Sequence, residues 1–151
     1  GAVYTSSEIE RLTAFSVEHD LWIIDDMIYA NLTWTDEGYT SPTEFEGGAE
    51  RTVSIGGWSK GWSMTGWRLG WITGPTHVMS NVKTVNASSA THVPTFLMPA
   101  ATHAFDAMND VELMKKEFAR RRKLIHEGFQ SLPGVEVPEP EGAFYMVCDI
   151  R

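Results

Sequence analysis

The chain has 151 residues, of which 42% are hydrophobic and 21% charged, and its formal net charge is −8. Six Trp and seven Phe exclude a chain that is disordered by composition, and the acidic balance argues against nucleic acid or an anionic membrane as the main partner. Because no apolar run could span a bilayer, no secretory signal is visible and Cys148 is the only cysteine, we expect a domain-sized protein of the cytoplasm.

The first predicted elements are a helix and a buried strand. Hydroxyl residues at positions 5–7 supply a helix N-cap, and apolar residues at helical spacing predict an amphipathic helix over residues 7–19. The continuous apolar run 21–24 predicts a strand covered on both faces, as in a parallel sheet, and this run ends in Asp25 and Asp26. Helix, short turn and buried strand together make half of a βαβ unit.

A surface loop and two further strands are predicted next. Residues 36–50 contain one proline and three glycines, which is typical of a loop. Residues 52–55 predict a second short strand, which Gly56 and Gly57 are expected to break. Residues 67–73 predict a third strand, because glycines bound the apolar run on both sides.

Helices dominate the following part of the chain. Residues 77–108 have a mostly helical pattern, which is interrupted near Pro94 and Pro99. Residues 112–132 predict a long helix, which the breaker pair Pro133 and Gly134 ends. The apolar face of this long helix consists of Met114, Phe118, Ile125 and Phe129.

The last residues indicate a change of architecture. Residues 135–137 and 143–150 predict strands on either side of a proline-rich turn. We therefore expect an α/β fold, with a mainly parallel sheet sandwiched by helices, followed by the start of a small α+β domain. The expected division is a partial large domain at residues 1–110, and a long connecting helix with the start of the small domain at residues 111–151.

The strongest chemical signal is the fourteen-residue stretch 57–70, which holds Lys60 and Arg68 eight positions apart among small residues, just beyond a strand. Chemistry on pyridoxal phosphate (PLP) needs a partly desolvated lysine that forms a Schiff base with the cofactor aldehyde. It also needs a fixed cation for the phosphate, which an arginine fork supplies, and small residues that let the backbone approach closely. All three features occur within this stretch.

The stretch resembles, position by position, the cofactor-lysine signature of class I and II aminotransferases. The resemblance implies that Lys60 forms the Schiff base with PLP and shuttles protons, and that Arg68 holds the phosphate. Many relatives carry a phosphate-binding serine three residues before the lysine, where this chain has Gly57. Ser59 is a further candidate for the phosphate site.

A second element lies at the end of the first predicted strand. Ligands of open α/β sheets bind outside the carboxyl ends of strands, and Asp26 lies at such an end. An aspartate there can keep the pyridine nitrogen of PLP protonated, and Tyr29 could reach the phenolic oxygen of the same ring. The family has an Asp-x-x-Tyr motif at this place, commonly with Glu where this chain has Met27. Asp25 is a competing carboxylate, but the register of the resemblance favours Asp26.

Each of these residues has a plainer interpretation when it is taken alone. An isolated lysine is usually a solvated charge, an isolated arginine a salt-bridge partner, and an aspartate after a strand a turn or cap residue. Tyr29 alone would be a core aromatic. The ordered pattern of residues 57–70, about thirty residues beyond Asp26, outweighs these alternatives.

The remaining motifs favour structural roles. The five histidines lack metal-ligand spacing and no second cysteine is present, so we expect no metal site. The basic cluster 115–123 is interpreted as a solvated helix face that pairs with Glu112 and Glu117. Residues 142–145 are interpreted as small-domain core. Packing around the lysine loop is the expected role of four tryptophans, Trp58, Trp62, Trp67 and Trp71.

The resemblance implies a fold type I PLP enzyme that transfers an amino group from an amino acid to a 2-oxo acid, and a homodimer for the whole enzyme. Asp26 would stabilise the carbanion, Tyr29 would tune the cofactor, and freed Lys60 would move the α-proton. Two alternatives stay open. One is another reaction on the same scaffold, namely a C–S lyase, a decarboxylase or an aminocyclopropane-carboxylate synthase. The other is a non-catalytic protein, either an aminotransferase-like sensor module or a decayed gene product.

The resemblance covers nearly the whole chain and implies that the chain is a central fragment. Residues 1–3 resemble the tail of the family's Asn-Pro-x-Gly turn, and residues 141–145 resemble the first strands of its small domain. The family's ring-stacking aromatic and its carboxylate-binding C-terminal arginine would then lie outside this sequence. We accordingly expect the chain alone neither to bind PLP tightly nor to turn over.

Overall fold

The computed structural model describes all residues, 1–151. Four α-helices and three strands alternate with short 3-10 turns along the chain. In chain order the helices and strands are α1 (Ser6–Glu18), β1 (Ile23–Asp26), β2 (Thr52–Gly57), β3 (Gly70–Thr73), α2 (Thr76–Ser89), α3 (Met98–Ala104) and α4 (Met108–Gln130). None of these helices combines the length and the apolar character that crossing a bilayer would require.

Helix α1 begins at a capping box, as the hydroxyl residues of the sequence predict. The Thr5 side chain accepts a hydrogen bond from the backbone N–H of Glu8, and the Glu8 carboxylate accepts one from the backbone N–H of Thr5. The helix ends one residue before the predicted end. Asp20, with φ of 52°, then turns the chain towards β1.

The sheet has the order β1-β2-β3 and is mixed. β1 and β2 are parallel, with Asp26 opposite Ile55, whereas β2 and β3 are antiparallel, with Gly57 opposite Gly70. The predicted parallel neighbour of β1 is thus present. Coverage of β1 on both faces is not observed in this chain, because Ile23 is buried while Ile24 is 74% exposed.

The glycine pair after β2 does not break the strand, which corrects the prediction. β2 continues through Gly57, and a Cβ at Gly56 would lie 2.4 Å from the indole of Trp71. The missing side chain therefore lets the Trp71 ring lie across the strand. β3 also begins later than predicted, because Thr65–Trp67 forms a 3-10 turn and Arg68 adopts a φ of 54°.

An aromatic cluster forms the core beside the sheet. Trp58, Leu69 and Ala101 are buried together. The Trp58 ring lies 4.5 Å from that of Trp71 and 5.2 Å from that of Phe105 (centroid distances). Helix α3 contributes Ala101 to this core, and Pro99 lies in its first turn, where a missing N–H costs nothing. The predicted interruption near Pro94 is observed, whereas Pro99 belongs to α3.

Helix α4 is the long predicted helix, and it begins four residues earlier than expected. Val111 is its only buried residue, at 1% exposure, while Ile125 and Phe129 of the predicted apolar face are largely exposed. The predicted pairing of the basic cluster with Glu117 is observed. The Glu117 carboxylate oxygens lie 2.8 Å from the Nε atoms of Arg120 and Arg121. None of the ion pairs includes Glu112; the other pairs of the cluster join Arg122 to Glu139 and Lys123 to Glu127.

The predicted strands after α4 are not formed. Only two isolated bridges occur there, between Thr33 and Gly142 and between Glu136 and Asp149. Residues 141–143 are instead held on two sides. The N–H groups of Glu141 and Gly142 donate to the Gly1 carbonyl at 2.6 and 3.1 Å, and that of Ala143 donates to the Leu32 carbonyl at 2.7 Å. The two-domain division stays a prediction.

Candidate active site

The candidate site lies at one edge of the sheet, where three strand ends meet. Asp26 is the last residue of β1 and Gly57 the last residue of β2, and parallel pairing places these ends together. β3 runs the other way, so its first residue, Gly70, lies opposite Gly57 at the same edge. The segments that carry the candidate residues at positions 26–29, 59–60 and 68 therefore all adjoin this edge.

The turn that carries Lys60 is anchored by tryptophans. The Met64 N–H donates to the Trp58 carbonyl at 3.2 Å, which closes the turn, and the Trp58 ring is buried in the aromatic core. The indole N–H of Trp62 donates to the Ala104 carbonyl at 2.7 Å and ties the turn to α3. The packing role predicted for the tryptophans is confirmed for Trp58, Trp62 and Trp71, whereas Trp67 is 44% exposed.

Two glycines allow the lysine turn to lie close to the segment after β1. A Cβ at Gly61 would lie 2.7 Å from the side-chain amide of Asn31, so any side chain there would push the two segments apart. A Cβ at Gly57 would lie 3.0 Å from the Leu69 carbonyl and 3.2 Å from Ile28. Gly57 thus occupies a crowded position.

Lys60 is half-buried and faces aromatic rings rather than a carboxylate. Its Nζ lies 6.0 Å from the ring centroid of Tyr29 and 5.3 Å from that of Phe144. None of the ion pairs includes Lys60. Ring faces attract a cation far more weakly than a buried carboxylate does, so the amine remains available for a ligand.

The adjacent aspartates of β1 differ in their partners because successive strand residues point to opposite faces. Asp25 is half-buried and accepts hydrogen bonds from the Tyr39 hydroxyl and, at 3.3 Å, from the Ser54 hydroxyl. Burial and the bond to Asp25 raise the pKa of Tyr39. Asp26 is exposed, and its carboxylate accepts only the backbone N–H of Ile28, at 3.4 Å. Asp26 therefore has free acceptor capacity, whereas Asp25 is engaged.

Tyr29 is near both Asp26 and Lys60. Its hydroxyl makes a 2.7 Å hydrogen bond with the Tyr145 hydroxyl. Burial raises the pKa of Tyr29 to about 12, and the bond to Tyr145 and the negative charge of Asp26 act in the same direction. The phenol therefore stays protonated at neutral pH and can donate a hydrogen bond.

Phe144 and Tyr145 are the neighbours that the sequence interpretation missed. Expected in a small-domain core, they are instead 43% and 56% exposed, and both rings pack edge-on against Tyr29 at 5.3 and 5.6 Å. Phe144 also stacks on Phe118 of α4 at 5.6 Å. The signal available in the sequence was the adjacent aromatic pair directly after Gly142 and Ala143. Such a pair does not predict a site residue until the residues near it in space are known.

Arg68 and Ser59 are near the sheet edge, and no side-chain hydrogen bond or ion pair joins them to the other candidates. Arg68 is exposed, and its Nη1 donates to the Thr65 carbonyl at 3.0 Å. None of the ion pairs includes it. Ser59 is half-buried in the lysine turn. Because only the bond to Thr65 uses it, the Arg68 guanidinium keeps most of its N–H donors free for an anion.

A cavity of about 410 Å³ opens on the flank of β1. Asp25, Asp26 and Tyr29 line it, together with apolar residues of α1 and the Gly142–Ala143 turn. Lys60, Ser59 and Arg68 lie outside this cavity. The structure thus brings Asp26, Tyr29 and Lys60 into one neighbourhood, while Ser59 and Arg68, like Lys60, do not line the cavity.

The donor set fits PLP chemically. The cofactor presents an aldehyde, a ring nitrogen, a phenolic oxygen and a phosphate. Against these the chain offers an amine without an ion-pair partner at Lys60, a free carboxylate at Asp26, a protonated phenol at Tyr29 and a free guanidinium at Arg68.

Comparison with known proteins agrees with this chemistry. The sequence model of the family "Aminotransferase class I and II" matches residues 1–151. An aspartate aminotransferase of Pyrococcus abyssi is 35% identical over the whole chain, and an arginine–pyruvate transaminase of Pseudomonas aeruginosa is 33% identical. These matches cover 39% and 38% of the two relatives, so the chain spans about two fifths of their length.

A solved aminotransferase structure has a similar fold over the same residues. The aromatic aminotransferase of Pyrococcus horikoshii superimposes with a TM-score of 0.87 at 35% identity, over 96% of this chain and 38% of that protein. The match confirms the predicted α/β fold class.

Proposed function

Because the chain belongs to the class I and II aminotransferase family, we propose that the full-length protein is an enzyme that transfers an amino group from an amino acid to a 2-oxo acid. Members of this family depend on PLP. The observation that carries the proposal is the half-buried amine of Lys60, which has no ion-pair partner and lies at the same sheet edge as Asp26 and beside the Tyr29 ring.

Lys60 has the central role in this proposal. PLP supplies an electrophilic aldehyde and a ring that withdraws electrons from the substrate α-carbon. Lys60 Nζ would hold the cofactor covalently and, once released by the incoming amino acid, would carry a proton from the α-carbon. The rings of Tyr29 and Phe144 border the amine and limit the access of water on that side.

The other candidates would hold and orient the cofactor. Asp26 would keep the ring nitrogen protonated, because its carboxylate has free acceptor capacity at the strand end. Tyr29 would donate a hydrogen bond to the phenolic oxygen, because its raised pKa keeps the phenol protonated. Arg68 would bind the phosphate with its free guanidinium donors, and Ser59 would add a hydroxyl.

The substrate class is an amino acid together with a 2-oxo acid. The names of the relatives mention aspartate, arginine, pyruvate and aromatic amino acids, so the family name does not select one side chain. The proposal extends to a cytoplasmic homodimer. It also includes a large PLP-binding domain that contains residues 1–110, and a small domain that begins within residues 111–151.

The test is covalent trapping on the full-length protein. After incubation with PLP and reduction with borohydride, peptide mass spectrometry should find the pyridoxyl label on Lys60. Lys60→Arg should abolish the label and transamination, whereas Lys83→Arg, at an exposed lysine of α2, should leave both unchanged. A label on another lysine would contradict the proposal. Consumption of the amino acid without a 2-oxo acid acceptor would instead favour a lyase or a decarboxylase.

A further inference from the structure

The hydrogen bond between Tyr29 and Tyr145 joins two segments that are 116 residues apart in sequence. We propose that Tyr145 is a positioning residue, whose hydroxyl fixes the direction of the Tyr29 phenol beside Lys60 and thereby strengthens the hydrogen bond that Tyr29 offers to a bound cofactor. The inference rests on the proposed function for the ligand, but the contact itself is a property of this chain.

The backbone holds Tyr145 in place. Residues 141–143 are fixed between the first residues of the chain and the segment after β1 by main-chain bonds, including Trp34 N–H to the Glu141 carbonyl at 2.7 Å. A Cβ at Gly142 would lie 2.8 Å from Val3, so this turn is tightly enclosed. Although the Tyr145 side chain is 56% exposed, the backbone position from which it extends is therefore well defined.

The packing of the rings restricts Tyr29 further. Tyr145 meets the Tyr29 ring at an interplanar angle of 78°, and Phe144 meets it at 83°. Two edge-on contacts and one hydroxyl bond together restrict both the tilt of the phenol and the rotation of its O–H. A catalytic donor needs this restriction, because a hydrogen bond weakens steeply with misalignment.

The hydroxyl pair leaves Tyr29 able to serve a ligand. A phenol donates one hydrogen bond and can accept another, so when Tyr145 donates to Tyr29, the Tyr29 proton is free for an oxygen of the ligand. Donation into the Tyr29 oxygen also polarises its O–H and strengthens the outgoing bond. The ionisable groups that face Tyr29 are Asp26 on its own segment, Lys60 from the turn after β2, and Tyr145 from the C-terminal segment.

The first experiment measures the pH midpoint of the visible absorbance change of PLP bound to the full-length protein without substrate. A donor to the phenolic oxygen favours its deprotonated form, so Tyr29→Phe should raise the midpoint. Tyr145→Phe should raise it in the same direction but by less, because loss of the direct Tyr29 bond is itself worth about 0.4 to 1 pH unit, the size of one ordinary hydrogen bond. The double variant should match Tyr29→Phe alone, because Tyr145 acts only through Tyr29.

A matched control separates positioning from a general effect of losing a tyrosine hydroxyl. Tyr4→Phe removes the hydroxyl of a tyrosine that is 66% exposed and should leave the midpoint unchanged. An unchanged midpoint in Tyr145→Phe, with thermal unfolding like that of the wild type, would overturn the proposal. So would a double variant in which the two shifts add.

A second readout does not depend on PLP. In the cofactor-free full-length protein with ¹³C-labelled tyrosine, the Tyr29 signal, assigned with Tyr29→Phe, should titrate at a different pH in Tyr145→Phe than in the wild type, because the Tyr145 hydroxyl is the hydrogen-bond partner of the Tyr29 phenol. If the two titrations differ but the full-length protein shows no absorbance from bound PLP, the proposed function is refuted, whereas the contact between the two tyrosines is supported. The same Tyr29 titration in both proteins would refute the positioning role alone.

Discussion

Replacement of each adjacent aspartate of β1 by asparagine should separate a structural carboxylate from a functional one. Asp25→Asn and Asp26→Asn are equal chemical changes at neighbouring positions of one strand. Asp25 accepts two side-chain hydroxyls, whereas Asp26 accepts one long backbone bond. We expect the first variant to lose stability and the second to lose activity.

The contacts set the size of each effect. A hydrogen bond to a charged acceptor contributes about 1 kcal/mol more than one to a neutral acceptor, so loss of the Asp25 charge should cost about 1 to 2 kcal/mol of unfolding free energy. Partial exposure of Asp25 favours the lower end of this range. Asp26→Asn removes an exposed charge and should change stability by less than about 0.5 kcal/mol.

The activities should follow the opposite order. If Asp26 holds the proton of the cofactor ring nitrogen, its loss removes charge stabilisation at the reacting system, and kcat should fall about 10²- to 10³-fold. Asp25→Asn should keep kcat within about tenfold of the wild type once the fraction folded is corrected, because its bonds hold Tyr39 and Ser54.

Urea unfolding and steady-state transamination of the full-length protein measure the two quantities on the same samples. If Asp25→Asn loses the activity while Asp26→Asn keeps it, the assignment of the two carboxylates is reversed. If both variants keep full activity, neither carboxylate serves the ring nitrogen.

Three further predictions concern other parts of the chain. Val111→Ala should lower the unfolding free energy in urea by about 1 to 3 kcal/mol, because the side chain is 1% exposed, and a loss below 0.5 kcal/mol would show that α4 does not pack there. Bonds from Arg120 and Arg121 lower the pKa of Glu117 from 4.5 to about 2, so its contribution to stability is complete above pH 4.5 and is lost as the pH falls towards 2. Glu117→Gln should therefore flatten the acid limb of the stability profile, which pH-dependent urea unfolding measures, and a profile parallel to that of the wild type would contradict this reasoning. Arg68→Gln should raise the PLP dissociation constant about 10- to 100-fold in an absorbance titration, and unchanged binding would exclude Arg68 from the phosphate site.

Elements with local signals could be predicted from the sequence. The hydroxyl cap with an acid three residues later predicts α1 to within one residue, because both partners of the capping box lie within four positions. The apolar run 21–24 predicts a strand here and its parallel partner, since a strand end of this kind belongs to an α/β sheet, although β1 begins and ends two residues later than the run. The shared edge of parallel strands then predicts that Asp26 and the lysine turn adjoin.

Elements that depend on distant contacts could not be predicted in this way. Gly56 and Gly57 would end an isolated strand, but the Trp71 ring covers the space that a side chain at Gly56 would fill, and β2 continues. The apolar run at residues 143–150 predicts a strand, yet only isolated bridges form there, because no neighbouring strand is available to pair with it. The position of Tyr145 beside Tyr29 depends on main-chain bonds between segments more than a hundred residues apart, to which no local pattern refers.

The arrangement of residues 141–143 has a consequence for the order of folding. Their bonds to residues 1–3 span at least 138 positions, so they close a far longer loop than any helix of the chain does. Loop closure of this kind is entropically unfavourable until the parts to be joined are already formed. The helices and the β1–β2 pair should therefore assemble first, and Phe144 and Tyr145 should arrive last. Nascent chains would accordingly expose the amine to solvent until this final docking step.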